Sequence, residues 1–266
     1  MSSEPATADA AILPLFYKEP EPLSAERHAG WRLLDGDVAF AAQTAFVPIL
    51  TSEIAPASRD YPIVFAADTT APIAVLGLDR ANLFVVVGRW DEAAYVPAYV
   101  RRYPFAFMAT QAPDGFCLAV DAGSDRVSRE GEAGAALFEN GVPSGLTRQA
   151  LEFCTAFGRD AAATELFSVA LKEKDLLIDR RADATLPDGR KFGLAGFRIV
   201  DEAKFRALDN ATLVAWHRAG ILALVHFHLA SLERFNALLA RQTARLGSVL
   251  PAGSANGAVK APKKKA

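Results

Sequence analysis

The stretch YPIVFAADTTAPIAVLGLDRANLFVVVG, Tyr61 to Gly88, decides the fold class. It holds three short apolar runs, YPIVFAA, PIAVLGL and NLFVVVG, each rich in β-branched or aromatic residues. Only DTTA and DRA separate them. Links this short join antiparallel neighbours, whereas a parallel crossover needs roughly a dozen residues. The three runs therefore predict a meander.

Working outward, FAFMATQAPDGFCLAVD (Phe105–Asp121) predicts a hairpin around Pro113-Asp114-Gly115. LLIDRRADATL and KFGLAGFRIVD predict another around Pro187-Asp188-Gly189. Asp-Gly supplies the positive φ angles of a tight turn. DVAFAAQTAFVPIL reads as a strand with Val38, Phe40, Phe46 and Val47 as its apolar positions. Before it, Ile12 to Pro22 is a proline-broken extended lead-in, and SAERHAGWRLL a turn or short helix. Thr51 or Ser52 can cap a short helix ending before Pro56. Helical spacing marks LTRQALEFCTAF, stopping at Gly158, and then Asp160 to Lys174. DEAKFRALDN is a connector helix, and Asp209 or Asn210 caps ATLVAWHR, which ends at Ala219-Gly220. A last run from Ile221 to about Leu246 carries Leu222, Val225, Leu229 and Leu232 on its packed side. The expected fold is α+β: a mostly antiparallel sheet, meander plus hairpins, with helices packed on one face. Residues 11–246 form one expected domain. Residues 1–10 and a lysine-rich tail, 247–266, are expected to be disordered.

Of the 266 residues, 51% are hydrophobic and 23% charged, a globular composition able to bury a core without staples. Net charge is -2; setting aside the four lysines of the last seven residues leaves the body near -6. That balance excludes a nucleic-acid footprint for the chain as a whole. Cys117 and Cys154 lie among apolar residues with no CxxC spacing, as buried thiols of a reducing compartment would. No basic n-region opens the chain, and no uncharged run approaches the ~18 residues of a membrane helix. A soluble, cytoplasmic protein without a transmembrane segment is expected.

Chemistry-bearing residues are few. YVPAYVRRYPFAF, Tyr95 to Phe107, places Arg101 and Arg102 among aromatics, on an expected helix from Pro97 to Arg102 that points both arginines toward solvent. Guanidinium groups beside rings bind carboxylates and phosphates; the competing reading is a structural ion pair. Trp90 and Asp91 lie just upstream. His217, His226 and His228 suggest metal binding only if His226 and His228 share a strand face; on a helix they stand about 200° apart. Helical spacing puts His226 on the packed side and turns His228 away. No HExxH, GxGxxG, P-loop or GxSxG motif is present. Ser144 reads as a loop or cap residue, Ser231 as an ordinary helical serine, and Asp201-Glu202 as the acidic start of a helix. The ligand-binding candidates are Trp90, Tyr99, Arg101, Arg102 and His226, with a small anion as the ligand. No metal, no cofactor and no catalytic residue is assigned.

Several segments, in order, resemble the SapC family: AAQTAFVPILTSEIAPASRDYPIVF, NLFVVVGRWDE, GRWDEAAYVPAYVRRYPFAF, PDGRKFGLAGFRIVDEAKF and AWHRAGILALVHFHLASLERF. The resemblance spans roughly Leu15 to Leu239. It implies an accessory or binding protein connected with the bacterial surface layer and outer-membrane physiology, with a protein partner and surface association. Similar proteins are often encoded beside tryptophan-halogenase-like flavoproteins and TonB-dependent receptors. The alternative implied role is therefore an enzyme, or a flavoprotein's partner, acting on a small or peptide-borne substrate. A third reading is an interaction module with an aromatic patch at Trp31 or Trp90. The family offers no catalytic residues to carry over.

Overall fold

The computed structural model describes residues 13–110, 115–185 and 190–249. The N-terminal stretch, most of the lysine tail, the Pro187-Asp188-Gly189 turn and the first two residues of the Pro113-Asp114-Gly115 turn lie outside them. The principal strands are β1 (Pro20–Pro22), β2 (Phe46–Pro48), β3 (Ile63–Ala66), β4 (Pro72–Val75), β5 (Val85–Val86), β6 (Arg89–Trp90), β7 (Phe105–Ala109), β8 (Phe116–Asp121), β9 (Leu177–Thr185) and β10 (Lys191–Val200). The helices are α1 (Ala25–His28), α2 (Thr51–Ala57), α3 (Ala98–Arg101), α4 (Gly145–Glu173), α5 (Glu202–Arg206), α6 (Asn210–Arg218), α7 (Ile221–Ser231) and α8 (Arg234–Val249). The chain is α+β, and its paired strands are antiparallel among the described residues.

The first two runs of the meander pair as expected, with Ile63 opposite Ala74 and Val64 opposite Ile73. The third does not join them. β2 takes the free edge of β4 instead, Phe46 opposite Val75, so Val85–Val86 folds back on Arg89–Trp90 as a separate hairpin. The β9–β10 hairpin completes a central sheet of order β9-β10-β3-β4-β2, and β1-β8-β7 forms a second sheet. In DVAFAAQTAFVPIL only Phe46–Pro48 is strand; Ala39–Ala41 is a 3₁₀ turn.

Helix boundaries follow local chemistry where a cap exists. Ser144, Asp201 and Asp209 cap α4, α5 and α6 through their side-chain oxygens, and Gly220, at φ 74°, separates α6 from α7. Two breakers are overruled. Pro56 sits inside α2 rather than after it. Gly158 lies within a continuous 29-residue α4, without positive φ. A helical glycine costs only about 1 kcal/mol, and packing on both sides of Gly158 outweighs that. Phe107 lies over it, Cys154 is buried before it, and Phe167, buried after it, meets Phe65.

One face of the central sheet is covered by α4 and α7, which meet at Phe65 through Phe167 and His228. Here the expected roles of two histidines are exchanged: His226 is exposed, and His228 is 0% exposed. β10 pairs with β3 only at Phe197–Ala66 and Arg198–Phe65. Two residues further, between Val200 and Ile63, the imidazole stands between the strands. Its Nδ1–H donates to the Ile63 carbonyl at 2.9 Å, and Nε2 accepts from the Val200 N–H at 3.1 Å. Ser231, read from sequence as an ordinary helical serine, accepts from the Ile63 N–H at 2.9 Å. The Ile63 N–H and carbonyl and the Val200 N–H, left by the splayed strands, are thus satisfied from one helix.

That arrangement requires neutral imidazole, and burial pushes the His228 pKa from 6.5 down to about 4. Between these values the unfolded histidine binds a proton and the folded one does not. Stability therefore falls as pH drops through that window, by up to roughly 3 kcal/mol. Urea unfolding at pH 7, 5.5 and 4.5 measures this. His228→Gln, which does not titrate, is expected to flatten the slope; an unaltered slope contradicts the assignment.

Candidate anion-binding site

The site is built from Glu53 outward. This carboxylate is 3% exposed at the third position of α2, whose N-cap, Leu50, has no side-chain acceptor. Glu53 accepts from the Leu50 N–H at 2.9 Å, from the Tyr95 hydroxyl at 3.0 Å and from the Ala98 N–H at 2.6 Å. The last of these caps α3, which has no side-chain cap of its own. Upstream, the Trp90 indole N–H donates to the Tyr61 hydroxyl at 3.1 Å, and Tyr61 donates to the Tyr95 carbonyl. Trp90 is therefore a buried part of the scaffold, 8% exposed. Its indole N–H is already committed to Tyr61.

Held this way, α3 starts one residue after Pro97, buries Tyr99 and Val100, and sends its two arginines to different surroundings. Arg101 is exposed. It donates to the Val96 carbonyl and the Tyr95 hydroxyl, and lies 5.3 Å from the Phe153 ring centroid. Arg102 is half-buried, its guanidinium 4.3 Å from the Tyr99 centroid and 4.2 Å from that of Phe157. Its Nε is buried without a hydrogen-bond partner, and neither arginine is in an ion pair among the described residues. Instead of a carboxylate, Arg102 has rings on two sides.

Arg102 also lines a groove of about 530 Å³ with Phe107, Phe116, Cys154, Phe157 and Arg159. Among the described residues no acidic side chain lines it and Arg159, an exposed second guanidinium, has no ion pair; Phe116 is 66% exposed. Thr155 apart, the rest of the wall is apolar. Burial pushes the Cys154 thiol up to about 11, so at neutral pH it is a protonated, inert side chain. Burial likewise raises the Tyr17 and Tyr99 hydroxyls, opposed by the adjacent Arg102 charge. A fixed cation beside stacked rings and apolar carbon can take a carboxylate or phosphate head whose body is apolar.

Of the sequence candidates, the structure brings Tyr99 and Arg102 together, places Arg101 instead with Tyr95 and Phe153, and keeps Trp90 in the scaffold. His226 lies elsewhere, on α7, its ring edge-on to Phe205 at 5.3 Å. The groove residues Cys154, Phe157 and Arg159 come from α4. Sequence reading placed Phe153 and Phe157 on an apolar helix face without identifying what that face meets. The one-turn aromatic spacing of Phe153 and Phe157, ending in Gly-Arg, was the available signal.

The family model described as SapC matches residues 23–238, well over half of the chain, so the chain belongs to the SapC family. No curated protein and no solved structure matches it. Among the described residues no single helix is long and apolar enough to cross a membrane, and no cluster of three or more potential metal ligands occurs.

Removing the Glu53 carboxylate orphans two backbone N–H groups and a phenol. Glu53→Ala is expected to cost roughly 3 kcal/mol or more in urea unfolding, with Glu53→Gln intermediate because it keeps one acceptor. A loss no larger than that of an exposed glutamate would contradict this role.

Proposed function

We propose that this SapC-family chain is a non-catalytic binding protein whose Arg102 groove receives a small amphipathic anion, an apolar body ending in a carboxylate or similar head. The carrying observation is the Arg102 guanidinium, half-buried between Tyr99 and Phe157 without an acidic partner among the described residues. A desolvated cation gains most from an anion that arrives with its own apolar surface. The Arg159 charge at the rim and the exposed Phe116 ring support the same ligand class. The protonated Cys154 thiol in the wall favours holding over nucleophilic chemistry. Family membership supports an accessory role connected with the bacterial surface layer and outer membrane, in company with a protein partner.

Titration calorimetry with dodecanoate, and with dodecyltrimethylammonium as the cationic control, tests the reading. Dodecanoate is expected to bind and the control not to. Arg102→Met, which keeps the stem's packing, should weaken binding about 10- to 100-fold, the worth of one charge-assisted contact. Equal binding by Arg102→Met would overturn the proposal.

A further inference from the structure

A second surface, which does not rest on the Arg102 reading, runs along the outward side of α4. At about 100° per residue, Leu151, Thr155, Arg159, Ala162, Leu166 and Val169 project within about 80° of one another. They stand opposite the side that buries Cys154, Phe167 and Leu171. All six are exposed, Leu151 by 45%, Leu166 by 72% and Val169 by 42%. The outward face of a packed helix is normally polar, yet Arg159 is the one charge among these six. Glu152 and Glu165, both exposed, border the strip on its two sides.

Arg148 and Glu173 project from the two ends of the same strip, and both are exposed. Each stands against the helix dipole, which favours acids at the N-terminus and bases at the C-terminus. No acid occupies the first turn of α4, Arg148 closes that turn, and Glu173 is the last residue of the helix. Neither is in an ion pair among the described residues. Arg148 donates to the Pro143 carbonyl at 2.6 Å. The cations beside Glu173 are engaged elsewhere, Lys172 with the Thr69 carbonyl and Lys174 with Asp209. The strip thus carries a cation at one end and an acid at the other, with largely apolar side chains between. It is complementary to itself reversed.

We infer that two copies of this chain pair through antiparallel α4 helices. With the two-fold axis at the level of Asp160 and Ala161, Arg148 of each copy meets Glu173 of the other. It also meets the negative end of the other helix, which suits its charge. Thr155 then meets Leu166, Arg159 meets Ala162, and Leu151 lies beside Val169, so no charge is set against its like. A parallel pair would oppose arginine to arginine and glutamate to glutamate. The bordering glutamates count against an anionic membrane as the occupant. From Arg148 to Glu173 the strip is about 38 Å long and about 10 Å, one helix, wide. Such a contact buries on the order of 800 Å² in the pair, small for a specific interface. The dimer is therefore reversible, half formed at roughly 10–100 μM chain.

The test is sedimentation velocity of the full chain across that concentration range. A monomer–dimer equilibrium is expected, and Leu166→Lys, at a position exposed in the single chain, should abolish it. Charge reversal reads the register. Arg148→Glu or Glu173→Arg alone should weaken the dimer about tenfold, and the two together should restore it, which neither unfolding nor lost apolar surface would do. Arg102→Met should dimerise like the parent, so the groove reading and this one fail separately. Three outcomes overturn the inference: a chain that stays monomeric throughout, a dimer indifferent to Leu166→Lys, or charge reversals that leave the dimer unchanged or are not rescued by their combination.

Discussion

Glu53 is the constraint on which the site rests. A carboxylate withdrawn from water is tolerated when donors saturate it, and here the donors come from three places: the lead-in to α2, the Tyr95 side chain and the first residue of α3. Satisfying the charge therefore fixes those segments relative to one another. α3 has only four residues, too few to persist alone. Its direction is imposed from outside, and with it the divergence of Arg101 toward solvent and Arg102 into the rings of Tyr99 and Phe157.

Much of the fold was legible because the signals were local. Short links paired β3 with β4, and the flanks of both Asp-Gly turns form hairpins. Ser144, Asp201, Asp209 and Gly220 mark their helix ends as sequence chemistry requires. What escaped was decided at a distance. The third meander run lost its edge to β2, and Gly158 stayed helical because tertiary packing outweighed a modest propensity. α7 is apolar nearly all round, so spacing alone does not set its phase. The choice between His226 and His228 was made by the backbone of Ile63 and Val200, 165 and 28 residues from His228. The arginine pair of the candidate site stood out among its aromatics, but the α4 wall opposite it did not, because nothing local says which surface an apolar stripe will meet.

The groove differs from the ordinary charged surface of this chain. Several surface cations among the described residues end on acids, as Arg27 does on Glu21, Arg198 on Asp179 and Lys204 on Asp175. Such pairs neutralise one another and offer little to a ligand. At Arg102 a guanidinium instead lies beside the Tyr99 and Phe157 rings, in a groove that also holds the exposed Phe116. That combination favours a molecule with an anionic head and an apolar body.

The most direct measurement of the central claim is the NMR signal of the arginine Nε–H groups during a titration with dodecanoate. The Arg102 resonance is expected to shift and saturate, accompanied by Arg159, while that of Arg101 stays in place. A saturable shift confined to Arg101, or none at either Arg102 or Arg159, would contradict the account.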